Sequence, residues 1–147
     1  MHRLIKEQNF AILNTQNLYY LGDVMVLKES GEDYLEAVLE LEEKNGIVRV
    51  VDVAALLGVS KPSVSKAMSN LKAAGYVNQE TYGDITLTEK GREKAQEVYN
   101  RHKLLAAFFE QVLGVSHETA GKDACRAEHV LSSETMEKMM EYMSRQK

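Results

Sequence analysis

Residues 54–77, AALLGVSKPSVSKAMSNLKAAGYV, predict two short helices joined by a tight turn. Gly58 supplies the turn, because glycine adopts the left-handed backbone conformation at little cost. Ser60 is a good N-cap for the second helix, and Pro62, the only proline, lies in its first turn, where a missing N–H costs nothing. Gly75 ends this second helix. The stretch therefore predicts a helix-turn-helix.

The segments on either side extend this unit. Residues 31–46 carry apolar side chains at helical spacing, which predicts a preceding helix that ends near Gly46. Residues 76–88 alternate and are rich in β-forming types, and Gly83 and Asp84 provide a turn. A helix-turn-helix followed at once by such a hairpin predicts a winged helix.

The rest of the chain predicts helices only. Thr88 caps a long helix over residues 89–114, and two further helices fit residues 118–130 and 133–145. The predicted fold is mainly α, with an N-terminal winged helix-turn-helix domain, a small β-hairpin wing and an all-helical C-terminal domain. The expected divisions are an N-terminal extension of uncertain order, a DNA-binding domain and a helical domain, at residues 1–28, 29–90 and 91–147.

The composition is that of an ordinary soluble globular protein, with 44% hydrophobic and 27% charged residues. A single cysteine excludes an internal disulfide framework and fits a reducing compartment, so a cytoplasmic location is expected. No apolar run approaches the length of a membrane span, and no membrane partner is expected. The net charge of −4 argues against a generally basic nucleic-acid coat, but a basic surface can be local.

The second helix of a helix-turn-helix enters the major groove and presents its N-terminal residues to base edges. Here Lys61, Ser63, Ser65 and Lys66 provide charge and short hydroxyl groups for phosphates and bases. The hairpin around Tyr82 would be the wing. The alternative is that helix-turn-helix units also serve as protein-interaction modules, and serine-rich helix starts are often only caps. DNA binding is favoured because the pattern holds over its full length.

A second functional pattern is DACRAEHVLSSE, residues 123–134. If this segment is helical, Cys125, Glu128 and His129 lie on one face about a turn apart. A thiolate, a carboxylate and an imidazole together suit a borderline transition metal such as Fe(II), Co(II), Ni(II) or Zn(II). The alternative is a half-buried free cysteine beside two ordinary surface residues.

Five motifs then occur in a specific order: EDYLE, VSKPSVSKAMSNL, LTEKG, RHKLL and DACRAEHVLS. In this order they resemble the metal-dependent repressors of the diphtheria toxin repressor and manganese transport regulator type, over residues 29–142. The resemblance implies a homodimer that binds double-stranded operator DNA when Fe(II) or Mn(II) is bound, and that controls metal uptake genes. It also implies a helical dimerisation domain and six metal ligands: Asp33, Glu36, His102, Cys125, Glu128 and His129.

The chain combines features of two branches of that family, so the sequence does not decide whether the bound metal is iron or manganese. Asp33 matches the manganese branch, because the iron branch has a methionine there. Cys125 matches the iron branch, because the manganese branch carries a glutamate there. Gly121 and Ala106 stand where the iron branch has two ligands of an ancillary site, so that site is expected to be absent or altered.

Each implied ligand also has a simpler interpretation. Asp33 and Glu36 alone would suit a solvated acidic helix face, and His102 alone would suit a surface histidine.

Two rival functions remain for the chain as a whole. One is a winged-helix regulator with a degenerate metal site, and the other is a metal or thiol enzyme using Cys125 and His129. No nucleophile elbow, glycine-rich phosphate loop or zinc-hydrolase motif supports an enzyme, and a regulator is expected.

Overall fold

The computed structural model of the protein describes residues 10–14, 18–21, 24–27, 29–81 and 83–146. They fall into two compact units, of which the first ends at Ala95 and the second starts at Gln96. The strands are β1 Phe10–Asn14, β2 Leu18–Leu21, β3 Val24–Leu27, β4 Val77–Gln79 and β5 Ile85–Leu87. The helices are α1 Glu29–Asn45, α2 Val50–Leu57, α3 Lys61–Ala73, α4 Glu89–Gln111, α5 His117–Ala127 and α6 Ser133–Arg145. The predicted mainly α fold with a small hairpin is confirmed.

The first three strands form an antiparallel sheet in the order β1-β2-β3. Strands β2 and β3 pair from Leu18↔Leu27 to Leu21↔Val24 without a break in register. From the sequence, residues 1–28 are expected to be an extension of uncertain order, and no strands are predicted there. Residues 1–9, 15–17, 22–23 and 28 of this range lie outside the described part of the chain.

The helix-turn-helix forms as predicted, from α2, a turn and α3. Gly58 ends α2 with φ 66°, in the left-handed region. Ser60 caps α3, because its Oγ accepts a hydrogen bond from the Ser63 N–H at 3.2 Å. Gly75 follows α3 with φ 82°. Each of these local predictions is confirmed.

The wing is the hairpin of β4 and β5. Its strands pair antiparallel from Val77↔Leu87 to Gln79↔Ile85. The Ile85 N–H also donates to the Val48 carbonyl at 2.8 Å, which attaches β5 to the chain before α2. The predicted hairpin is confirmed. Tyr82, the wing residue expected to contact DNA, falls outside the described part of the chain.

One apolar core holds the helices and the wing of the first unit together. Leu35 and Val38 of α1, Val53 of α2 and Met68 and Leu71 of α3 are all fully buried in it. Burial of such a side chain contributes about 1.5–3 kcal/mol. These contacts fix α3 by its inner face and leave its outer face in solvent.

The start of α4 packs closely against the turn that follows α3. The Thr88 hydroxyl donates to the Gly75 carbonyl at 2.6 Å and accepts from the Gly91 N–H at 3.0 Å, so Thr88 caps α4 as predicted. A Cβ on Gly91 would lie 1.8 Å from the Tyr76 carbonyl oxygen. Only glycine therefore allows this approach of two backbones.

The last three helices differ from the prediction mainly at their ends. Helix α4 ends at Gln111 instead of at residue 114, because the Leu113 N–H bonds back to the Phe108 carbonyl and the chain leaves the helix before Gly114. Helix α6 has the predicted bounds, with Ser132 as its cap.

Helix α5 ends at Ala127, three residues before the predicted end, and Ser116 caps its start. The Val130 N–H bonds to the Ala127 carbonyl in a tighter turn, which brings Ser132 into the extended conformation that a cap requires. His129 therefore lies in this turn and not on the helix. In the described part of the chain, no helix combines the length and the apolar character needed to cross a bilayer.

Candidate metal-binding and DNA-binding surfaces

Four of the predicted metal ligands come together in the second unit. His102 Nδ1, on α4, lies 3.0 Å from Glu128 Oε2. The other carboxylate oxygen, Glu128 Oε1, lies 3.3 Å from His129 Nε2. Cys125 Sγ lies 3.6 Å from His102 Nδ1. Glu128 thus stands between two imidazoles, and a thiol approaches one of them.

Glu128 is buried, with only 1% of its surface exposed, and it is the one buried charged residue of the described chain. The His129 side chain is 2% exposed. This burial excludes the alternative in which both are ordinary surface residues. Cys125, by contrast, is exposed. A carboxylate is costly to bury unless it is hydrogen-bonded, paired or bound to a cation. The burial of Glu128 therefore indicates that one of these interactions compensates its charge.

The local backbone explains how three neighbouring residues converge. Cys125 occupies the last turn of α5, and Glu128 follows as its C-cap, still in the right-handed helical conformation. These two side chains share a face, as predicted. His129 reaches the cluster through the turn after the helix. Arg101 stabilises that turn, because its Nη2 donates to the Leu131 carbonyl at 2.6 Å. This role was not predicted from the sequence.

The remaining two predicted ligands, Asp33 and Glu36, lie on α1 in the first unit. They are three positions apart in the sequence and share one helix face. Both are half-buried, unlike a freely solvated acidic face. Tyr34, between them in the sequence, is buried in the apolar core, and this burial raises the pKa of its hydroxyl above the ordinary value.

The predicted DNA-contacting residues Lys61, Ser63, Ser65 and Lys66 are all exposed on α3. The Ser63 Oγ lies 2.8 Å from Ser60 Oγ and so takes part in the N-cap. The cap interpretation therefore applies to Ser63, whereas Ser65 and the two lysines extend from the outer face of the helix. Helix α3 is the recognition helix of this helix-turn-helix.

Residues in the groove between the recognition helix and the wing were not predicted from the sequence. This groove has a volume of about 310 Å³, and its lining includes Ser65, Ser69, Lys72 and Thr81. Ser65, Ser69 and Lys72 are spaced by four and three residues, so they share one helix face. That spacing could have been read from the sequence, but the position of Thr81 across the groove could not.

Two family models match the chain. Residues 26–85 match the N-terminal DNA-binding domain of iron-dependent repressors. Residues 88–147 match the metal-binding and dimerisation domain of the same repressors.

Individual proteins give the same result. The chain is 38% identical over 120 residues to an uncharacterised HTH-type transcriptional regulator of Methanocaldococcus jannaschii, covering 81% of this chain and 96% of that protein. It is 37% identical over 115 residues to the transcriptional regulator MntR of Salmonella typhimurium, covering 78% of this chain and 73% of that one.

Solved structures share the fold. A manganese-dependent transcriptional repressor in complex with manganese superposes with a TM-score of 0.72 at 28% identity, over 78% of this chain and 52% of that one. IdeR of T. acidophilum superposes with a TM-score of 0.69 at 23% identity, over 77% of this chain and 53% of that one. The chain thus spans about half the length of these two structures.

Proposed function

This chain belongs to the iron-dependent repressor family, and we propose that it binds operator DNA as a homodimer when Fe(II) or Mn(II) is bound, repressing genes of metal uptake in the cytoplasm. The family consists of transcriptional regulators. The alternative of a metal or thiol enzyme is therefore excluded. The remaining rival is a winged-helix regulator with a degenerate metal site, which would bind DNA equally well with and without metal.

The observation that carries the proposal is the buried carboxylate of Glu128 between His102 Nδ1 and His129 Nε2. Two imidazole nitrogens and a carboxylate are ligands that first-row divalent metals accept. A degenerate site would not need to keep a charged side chain at 1% exposure. The residues present thus fit the metal that the family implies.

We assign Asp33, Glu36, His102, Cys125, Glu128 and His129 as the ligands. The bound ion would supply positive charge that offsets the three carboxylates. Without the ion, these carboxylates would repel one another if they share the site, which would favour a looser arrangement of the chain. Ligands contributed by separate segments of sequence lose conformational freedom on binding, so binding selects one arrangement.

The DNA-binding surface is proposed to be the outer face of the recognition helix together with the wing. Ser65 and Lys66 would reach base edges and phosphates in the major groove, and Lys61 would add charge at the helix start. A dimer would hold two such helices at the spacing of two half-sites. We expect the dimer to use the apolar side chains of the last helices, among which Met140 of α6 is exposed.

The test is metal-titrated DNA binding. A palindromic duplex would be selected from a random library with the purified protein and Mn(II) or Fe(II), and affinity would be measured by fluorescence anisotropy. We expect binding to be about 10- to 100-fold tighter with metal than with chelator. Affinity should also fall steeply with salt, because phosphate contacts release counterions. Equal affinity in both conditions would indicate a degenerate site.

The metal preference is expected to depend on Cys125. A thiolate favours Fe(II) and Co(II), whereas Mn(II) prefers carboxylate oxygen. Fe(II) is therefore the proposed native metal, and Cys125→Glu should weaken the Fe(II) and Co(II) responses by about tenfold relative to Mn(II). The native Co(II) complex should show a thiolate charge-transfer band in the near ultraviolet, which the variant lacks. Absence of that band from the native complex would remove Cys125 from the ligand set.

A further inference from the structure

Lys72, in the last turn of the recognition helix, is hydrogen-bonded to the wing. Its Nζ donates to the Gln79 carbonyl at 2.6 Å, and Gln79 is the last residue of β4. A hydrogen bond from a charged ammonium is shorter and stronger than one between neutral groups. The recognition helix and the wing are thus joined directly across the groove described above.

The Gln79 side chain continues this connection into the turn of the wing. Its Nε2 donates to the Gly83 carbonyl at 3.2 Å. The Gly83 N–H in turn donates to the Glu80 carbonyl at 2.8 Å. Three successive hydrogen bonds therefore lead from Lys72 to the turn.

The exposed part of the wing needs such a connection. The two strands pair over only three residues each, and a two-stranded hairpin of that size is marginal by itself. Val77 and Ile85 are buried in the core and anchor the base of the wing. Glu80 and Thr81, towards the turn, are exposed and have no such anchor.

We propose that Lys72 is a positioning residue for DNA binding, which holds the turn of the wing at a fixed distance from the recognition helix and makes no phosphate contact itself. The proposal rests on the proposed DNA-binding function. A wing that is already ordered loses less conformational entropy when DNA binds. Helix and wing can then contact the duplex together.

The test compares Lys72→Met, Lys72→Arg and a matched control, Lys66→Met, in the full-length protein with Mn(II). Methionine removes the ammonium and keeps an aliphatic chain, whereas arginine keeps a donor that can reach the Gln79 carbonyl. For Lys72→Met we expect about fivefold weaker DNA binding with the same slope of log affinity against log salt. For Lys66→Met we expect the slope to fall by about 0.9, the value for one lost phosphate contact.

A second measurement needs no DNA. Hydrogen exchange of the Gly83 amide should be about fivefold faster in Lys72→Met, unchanged in Lys66→Met and close to native in Lys72→Arg. The Gly58 amide, bonded to the Ala54 carbonyl in the helix-turn-helix, serves as an internal reference.

The outcomes separate the two proposals. A reduced salt slope in Lys72→Met would make Lys72 a phosphate contact and overturn the inference, as would unchanged exchange at Gly83. If the native protein fails to bind any selected duplex, the proposed function fails, while exchange at Gly83 still decides whether Lys72 holds the wing.

Discussion

Replacement of Glu128 by glutamine is expected to lower the metal affinity of the protein by about a hundredfold or more. Glutamine keeps the shape of the side chain but removes its charge and one acceptor oxygen. Both carboxylate oxygens of Glu128 face an imidazole nitrogen, at 3.0 Å and 3.3 Å. The amide can offer only one oxygen to this cluster, so a metal bound there would lose a charged ligand. The loss would be measured by competition with a chelating dye.

The chain offers a closely matched control in Glu110. Its Oε2 lies 3.1 Å from His117 Nδ1, which is the same type of contact, but this histidine side chain is 92% exposed. We expect Glu110→Gln to leave metal affinity and metal-dependent DNA binding unchanged. The metal-free Glu128→Gln variant should unfold at or above the native urea midpoint, because the substitution removes a buried charge. Native-like metal affinity in Glu128→Gln would clear Glu128 of the ligand role.

Replacement of Gly91 by alanine is expected to reduce the free energy of unfolding by about 3 kcal/mol. The added Cβ would lie 1.8 Å from the Tyr76 carbonyl oxygen and 2.8 Å from the carbonyl carbon. Both are backbone atoms, so no side-chain rotation relieves the clash. The start of α4 would have to move away from the turn after the recognition helix, weakening the hydrogen bonds of Thr88 and the bond from Lys90 Nζ to the Ala74 carbonyl.

Gly121 provides the comparison, because it is also helical and a Cβ there would meet nothing within 4 Å. Gly121→Ala should stabilise the protein by about 0.5–1 kcal/mol, the ordinary effect of removing a glycine from a helix interior. Urea unfolding of both variants measures the difference. If Gly91→Ala unfolds at the native midpoint, the close packing of α4 on Tyr76 does not exist in solution.

Features that depend on neighbours in sequence could be predicted. Ser60 caps a helix, Gly58 turns the chain and Thr88 starts α4, because each acts on backbone groups within a few residues. The same holds for the shared helix face of Cys125 and Glu128. The wing followed from alternation and a glycine turn. These parts of the fold and of the candidate site are readable from the printed sequence.

Features that depend on distant segments could not be predicted. Nothing around Glu128 indicates burial, which depends on His102 on another helix, 26 residues earlier. The contact of Lys72 with the Gln79 carbonyl requires the wing to fold back on the recognition helix. In the sequence Gly91 is only an unfavourable helix residue, because its close contact with the Tyr76 carbonyl depends on the folded chain. Periodicity identifies faces of helices, but it does not say which faces meet.

The unequal division of buried side chains between the two units has a genetic consequence. The first unit contains a continuous apolar core that is complete at Ala95, whereas the buried cluster of the second unit centres on Leu105, Ala124 and Met136 among the described residues. Domains with their own core generally fold as units and N-terminal first during synthesis. A nonsense codon shortly after Ala95 would therefore release a fragment with the recognition helix and wing but without His102, Glu128 and His129. We expect such an allele to encode a folded fragment that lacks α6, the proposed dimerisation helix, and the proposed ligands of the second unit, so that its DNA binding no longer responds to metal and stays as weak as that of the metal-free protein.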